Sequence, residues 1–231
     1  VWKNTEVTYY PLGEEMFAAM LEDLRKAEHY IFLEYFIIQE GLMWDWILEI
    51  LEQKVKEGVD VRLIYDDVGC VSLLPFHYAE QMEKKGIRCL AFNRFIPVVS
   101  LVMNNRDHRK IMVIDGHTAY NGGINLADEY INKKVRFGHW KDTGVRLHGD
   151  AVFNFTLMFL EIWNSFRVPD LDYDVFRPHR WHKEPFEGDG YVVPYADTSL
   201  DNEELGEDVY INILSQAKEY VYIATPYLLI S

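Results

Sequence analysis

The strongest constraint on the fold is an alternation, through the first 92 residues, between amphipathic helical periodicity and short, almost wholly apolar runs. Residues 13–27 (GEEMFAAMLEDLRKA) bring Phe17, Met20, Leu21 and Leu24 onto one helical stripe. The run YIFLEYFII (30–38) then predicts a buried strand. A helix over about 42–57 is stopped by Gly58 and leads into VDVRLIYDD (59–67). A further helix over about 75–85 is stopped by Gly86 and leads into IRCLAF (87–92). Strands that are apolar on both faces and separated by helices pair in parallel through right-handed crossovers. The expected class is α/β, with helices covering both faces of the sheet.

Beyond residue 92 the pattern changes. NRFIPVVSLVMNNR (93–106) is apolar but carries Pro97, which argues against a regular inner strand. KIMVIDG and TAYNGG predict a strand pair around the Gly116-His117 turn, followed by a strand over 143–149 and an amphipathic helix over about 150–166. Pro, Asp, His and aromatic residues without period mark 169 to about 200 as an irregular connection. The tail echoes the beginning: with Ala217 over Ala27, AKEYVYIATPYL lies over AEHYIFLEYFII, and Leu214 and Ile211 lie over Leu24 and Leu21. That helix-then-strand echo points to an internal duplication whose second copy stops shortly after its strand begins.

Composition narrows the chemistry. A net charge of −14 over 231 residues argues against a general nucleic-acid binder. The charge is uneven, however: from Arg94 to His148 nine Lys and Arg face five Asp and Glu, a local +4 that suits an anionic headgroup. Cys70 and Cys89 sit in apolar, strand-like stretches and read as buried reduced thiols rather than a disulfide framework. The sequence contains neither a signal peptide nor a run of about 18 uncharged apolar residues, the length a bilayer span needs.

The chemically informative stretch is His108-Arg109-Lys110, then Asp115, then Gly122-Gly123-Ile124-Asn125. On an extended strand His108 and Lys110 project to the same side, roughly 6–7 Å apart. A fixed ammonium beside an imidazole repels metal cations but suits a phosphate, whose oxygens take the ammonium while the imidazole approaches phosphorus. Glycines at 122 and 123 admit close backbone approach, and the Asn125 amide has hydrogens to donate to a phosphate oxygen. His179-x-x-His182 has metal-like spacing but lacks acidic or cysteine partners in pattern.

His-x-Lys-x4-Asp-x6-Gly-Gly-x-Asn is the HKD signature of the phospholipase D superfamily, and the segments EYFIIQEG, YDDVG, NNRDHRKIMVIDG, GGINLADEYIN, HWKDTGVRLHGDAV and YVYIATPYLLIS resemble bacterial cardiolipin synthases. The resemblance implies an α/β/α sandwich with a central mixed, largely parallel sheet. It also implies metal-independent, cofactor-free phosphatidyl transfer, in which two phosphatidylglycerol molecules give cardiolipin and glycerol through a phosphohistidine. By the same resemblance, His108, Lys110 and Asp115 match the motif's catalytic positions, Asp115 with a structural rather than proton-donating character. Lys110 and Asn125 match phosphate ligands, and Asp142 matches the acid that hydrogen-bonds the imidazole's far nitrogen. Glu34, Asp66 and Asp67 stand near strand ends, where α/β sheets gather ligands.

The family uses two HKD motifs and this sequence carries one; His117, His139 and His148 lack the accompanying lysine and Gly-Gly-x-Asn. The expected organisation is therefore a first phospholipase D-like half (1–168), a connection (169–200) and the start of a second half (201–231), cut from a bacterial membrane protein and inactive alone. Its expected partners are anionic phospholipids, a membrane surface and the second half, but not nucleic acid. The apolar stretch 95–103 is a candidate for dipping into the lipid interface. Two other readings remain: a phosphodiesterase or nuclease completed by homodimerisation, and a non-catalytic lipid-binding half.

Overall fold

In a computed structural model of the chain, residues 1–94, 106–136, 138–198 and 203–224 are described. The elements follow in the order β1 (Thr5–Tyr10), α1 (Gly13–Lys26), β2 (Tyr30–Tyr35), α2 (Leu42–Lys56) and β3 (Asp60–Asp66). A single turn α3 (Asp67–Cys70) precedes α4 (Tyr78–Lys84), β4 (Arg88–Phe92), β5 (Lys110–Ile114) and β6 (Thr118–Gly122). After a 3₁₀ turn at Asp128–Ile131 come β7 (Gly144–Gly149), α5 (Val152–Phe166), a 3₁₀ turn at Tyr173–Phe176, α6 (Pro178–Trp181) and α7 (Leu205–Gln216). Residues Val1–Pro194 form one compact unit and Tyr195–Ser231 a second.

Among the described residues seven strands form one sheet in the order β1-β7-β6-β5-β2-β3-β4. The mixed α/β architecture is the expected one. Parallel pairing joins β2 to β3 and β3 to β4, where the helical crossovers were legible. The other pairs are antiparallel; between β5 and β6 the three-residue turn 115–117 is too short for a crossover. The parallel part thus occupies one side of the sheet, although five of the seven strands share a direction.

Alternation along the strands feeds two cores. Ile31, Leu33, Tyr35, Leu63 and Met112 pack with α1, α2 and α4 on one face; Tyr30, Phe32, Ile111, Val113 and Leu147 pack with α5 on the other. On the α5 face Phe32 stacks on Phe159 at 4.5 Å and lies 4.8 Å from the Arg62 guanidinium. Arg62, 3% exposed, forks onto Asp170 at 2.5 and 3.0 Å, which fastens the irregular segment after α5 to β3. That segment also seats Phe176 and Phe186 in buried positions. Both cysteines are free and buried, and burial pushes the Cys70 thiol up to about 12.

Two expectations for the tail fare differently. The helix forms as α7, with none of its residues buried. The buried strand is not seen over 217–224: that stretch pairs with no strand, and Tyr220 and Tyr222 are exposed. A lone extended segment has no ladder to satisfy its backbone groups and no face to cover its side chains. The candidate lipid-dipping stretch 95–103 lies outside the described residues.

Candidate active site

The first residue of β5 stands opposite Tyr35 in register, and the chain enters the strand through Arg106–Arg109. Strand alternation sends His108 and Lys110 to one side of this entry and Asp107 and Arg109 to the other. The His108 ring packs on Phe36 with centroids 4.6 Å apart, and the Lys110 ammonium lies 5.5 Å from the same ring. Lys110 Nζ is 3.1 Å from His108 Nδ1 and donates to the His108 carbonyl at 2.5 Å.

The electrostatics follow from unequal burial. His108 is exposed at the surface while Lys110 is 6% exposed. Partial desolvation and then the Lys110 charge hold the imidazole below its ordinary proton affinity, so it is neutral at pH 7. Burial pulls Lys110 down to about 8 against the attraction of Asp107 and Asp142, leaving it mostly protonated at neutral pH. The hydrogen bonds of this ammonium go to uncharged groups. A neutral imidazole beside a partly desolvated ammonium is a site for an anion with an electrophilic centre.

Asp66, one of the strand-end acids, holds this arrangement from behind. Wholly buried at the end of β3, it accepts from the Asp107 N–H at 3.0 Å and the Gly69 N–H at 2.9 Å, and lies 3.4 Å from Arg106 Nη1. Its carboxylate therefore fixes the backbone just before His108. Asp67 opens α3 beside it. Glu34, also wholly buried, is on the opposite face of the sheet from His108, 3.6 Å from Arg109 Nη1.

The other motif residues are engaged by the fold itself, Asp115 in the structural character its motif position suggested. Asp115 stands at the opposite end of β5, roughly 16 Å of strand from Lys110. It is 4% exposed and accepts three backbone N–H groups, from Glu28, His29 and Tyr30, each at 2.8 Å. It closes the β5–β6 turn onto the start of β2 and takes no place at the catalytic position. Asn125 Oδ1 accepts from the Ile37 N–H and its Nδ2 donates to the Tyr130 hydroxyl, both at 2.9 Å, leaving one amide hydrogen for a ligand.

Asp142 makes no hydrogen bond to His108 among the described residues. Its oxygens accept instead from the Thr143 N–H at 2.9 Å and the Trp140 indole at 3.3 Å, because the β7 entry turns its carboxylate onto Gly123. A Cβ at Gly123 would collide with that carboxylate, and one at Gly122 with the Thr143 carbonyl. These glycines thus serve the close approach of β6 to β7. His179 and His182 both pack on Phe186, with centroids 5.0 and 4.4 Å away, and His179 Nε2 is 2.9 Å from Asp150.

Sequence reasoning passed over Phe36, Tyr130 and Asp107. The last was within reach, since alternation along the motif strand already puts residue 107 behind residue 108.

Residues 20–135 match the family described as "Cardiolipin synthase, PLD-like domain". The chain is 54% identical over 230 residues to an uncharacterized protein of Streptococcus mutans, covering 100% of this chain and 49% of that one. It is 36% identical over 226 residues to cardiolipin synthase 2 of Staphylococcus epidermidis, covering 97% and 46% respectively. The chain thus spans about half the length of the curated relatives it matches. Among solved structures, the phospholipase D family member Nuc from Salmonella typhimurium superposes with a TM-score of 0.50 at 19% identity, over 69% of this chain and 93% of that one. Among the described residues no helix is long and apolar enough to cross a membrane. On the family match, whose span holds His108, Lys110, Asp115 and Asn125, the chain belongs to the cardiolipin synthase, PLD-like domain family.

Proposed function

We propose that this chain is one active-site half of a phosphatidyltransferase that makes cardiolipin from two phosphatidylglycerol molecules. The observation that carries the reading is the contact between a neutral, exposed imidazole and a buried ammonium, His108 with Lys110. In the first step an imidazole nitrogen of His108 attacks phosphorus, the bond from phosphorus to the glycerol oxygen breaks, and that oxygen leaves with a proton. The lipid stays on the histidine as a phosphoramidate. In the second step a hydroxyl of another phosphatidylglycerol attacks phosphorus, the P–N bond breaks, and cardiolipin is released. Lys110 and the remaining Asn125 amide hydrogen take the non-bridging oxygens.

The Lys110 contact has a consequence for His108. An ammonium donating to Nδ1 leaves the neutral ring's proton on Nε2, so neither nitrogen has a free lone pair. A phosphate that draws Lys110 away frees Nδ1 to carry the proton and Nε2 to attack. Substrate binding and nucleophile activation are then one event.

The proton for the leaving oxygen, and the base for the incoming hydroxyl, require a second histidine. The one-motif sequence is proposed to receive it from a second HKD half, with residues 201–231 as the start of that half. The test is chromatography of lipids after incubation with phosphatidylglycerol vesicles. The chain alone is expected to form little cardiolipin, and a two-motif protein containing it to form cardiolipin and glycerol. His108→Ala in the two-motif protein is expected to stop turnover. Robust synthesis by a monomer of this chain, or normal turnover without His108, overturns the reading.

A further inference from the structure

The side of the motif strand turned away from the reacting pair holds buried acid that the transfer reaction does not use. Glu34 is wholly buried and Asp107 is 6% exposed. Taken as two carboxylates, Glu34 Oε1 and Oε2 and Asp107 Oδ2 have no hydrogen-bond partner among the described residues. Two ionised, unsatisfied carboxylates in one dry site are costly, since each loses its hydration and repels the other. The two side chains nevertheless stand in hydrogen-bond contact with each other. Two acceptors in contact become a donor and an acceptor when one proton lies between them.

The proton's owner follows from the surroundings. Burial raises the proton affinity of Asp107 as well, but Asp107 Oδ1 accepts from the Arg109 N–H at 3.2 Å, and this contact favours its ionised form. Among the described residues Glu34 accepts no N–H or O–H, and the Arg109 guanidinium stands off at 3.6 Å while also serving the Met158 carbonyl at 3.1 Å and Glu161 at 3.5 Å. The charged groups around the pair are Arg109 and, toward Asp107, Lys110 from the motif strand, Glu161 from α5, and Asp66 from β3 with Arg106 against it. Desolvation first, then Asp107, raises the Glu34 proton affinity well above the ordinary carboxyl range.

We propose that Glu34 is a neutral carboxylic acid that donates a hydrogen bond to the Asp107 carboxylate, making it a positioning residue for His108. The side chain of residue 107 is pinned by Glu34, its N–H by Asp66, and the N–H of residue 109 by Asp107. The backbone on either side of His108 is thereby held, and its ring stays on Phe36 beside Lys110. The role rests on the reading of His108 given above, while its test needs no substrate and no second half.

The test is infrared spectroscopy of this protein at pH 7, unlabelled and with carbon-13 at the side-chain carboxyl of glutamate or of aspartate. The expected result is a protonated-carboxyl C=O band that shifts with labelled glutamate and disappears in Glu34→Gln. The absence of a band, or a band that follows the aspartate label, overturns the proposal. Histidine NMR supplies the positioning readout. Glu34→Gln, which keeps a donor to Asp107, is expected to retain the depressed His108 titration, and Glu34→Ala to let it return to the ordinary imidazole range. A His108 titration that moves equally in both variants also overturns it. Should Glu34→Ala not fold, the wild-type band and the Gln variant decide. A failure to make cardiolipin bears on the function and leaves these spectra untouched.

Discussion

The two ends of β5 carry the same sequence motif and do opposite work. At the entry end, His108 is exposed and Lys110 keeps a charge whose hydrogen bonds go to neutral groups. At the exit end, Asp115 is buried and accepts three backbone N–H groups. A charged group whose hydrogen-bonding capacity is filled by backbone has nothing left for substrate; one that is desolvated and paired only with neutral dipoles is primed for a counter-ion. The contrast separates reacting residues from framework within a single signature.

The sharpest way to break the contrast is at the entry end. In a two-motif protein containing this chain, His108→Ala is expected to abolish phosphatidyl transfer, read as cardiolipin formed; retained activity would erase the difference between the ends. Lys110→Ala is expected to weaken binding of inorganic phosphate or phosphatidylglycerol headgroups by about tenfold to a hundredfold, the range of a lost charge-assisted hydrogen bond. Phosphate titrations followed by NMR read this directly.

At the exit end the expected effect is on stability. Asp115→Ala strands three backbone donors and is expected to cost roughly 2–4 kcal/mol in denaturant unfolding, with the phosphate affinity of the surviving folded protein unchanged. A large affinity loss in that variant, with stability kept, would return Asp115 to the reacting group.

The smallest effect is in pH. Lys110 binds its proton less tightly in the fold, at about 8, than the ordinary 10.5, so the unfolded chain holds more protons between those values. The stability of the unliganded wild type relative to Lys110→Met is therefore expected to rise from pH 8 to 10.5. Phosphate affinity is expected to fall over the same window as the ammonium is lost. A flat difference curve would show that Lys110 is not desolvated.

Much of this was legible in the residues, for identifiable reasons. The apolar runs that became β2 and β3 are buried on both faces and most of β4 is buried, so composition alone announced them, and Gly58 and Gly86 marked where the helices before β3 and β4 stop. β1 went unread because TEVTYY buries chiefly Thr5 and leaves Val7 and Tyr9 exposed, as an edge strand paired only with β7 can. At the site, the residue types of His108 and Lys110 carried their own chemistry. For Asp115 the sequence offered a structural character but not its partners, because those belong to the chain at 28–30, far away in sequence. Asp142 failed for a different reason: its acceptors were taken by its own sequence neighbours, Thr143 and Trp140.

The most direct measurement uses a phosphatidyl ester of a nitrophenol, whose leaving group departs without a proton and so needs no second histidine. The reaction with this chain is quenched and its histidines mapped by mass spectrometry. The account predicts release of nitrophenolate with a phosphatidyl group accumulating on His108 and on no other histidine of the chain, because no partner is present to activate the incoming alcohol. An adduct on His117, beyond the exit end of β5, or nitrophenolate release undiminished in His108→Ala, would contradict it.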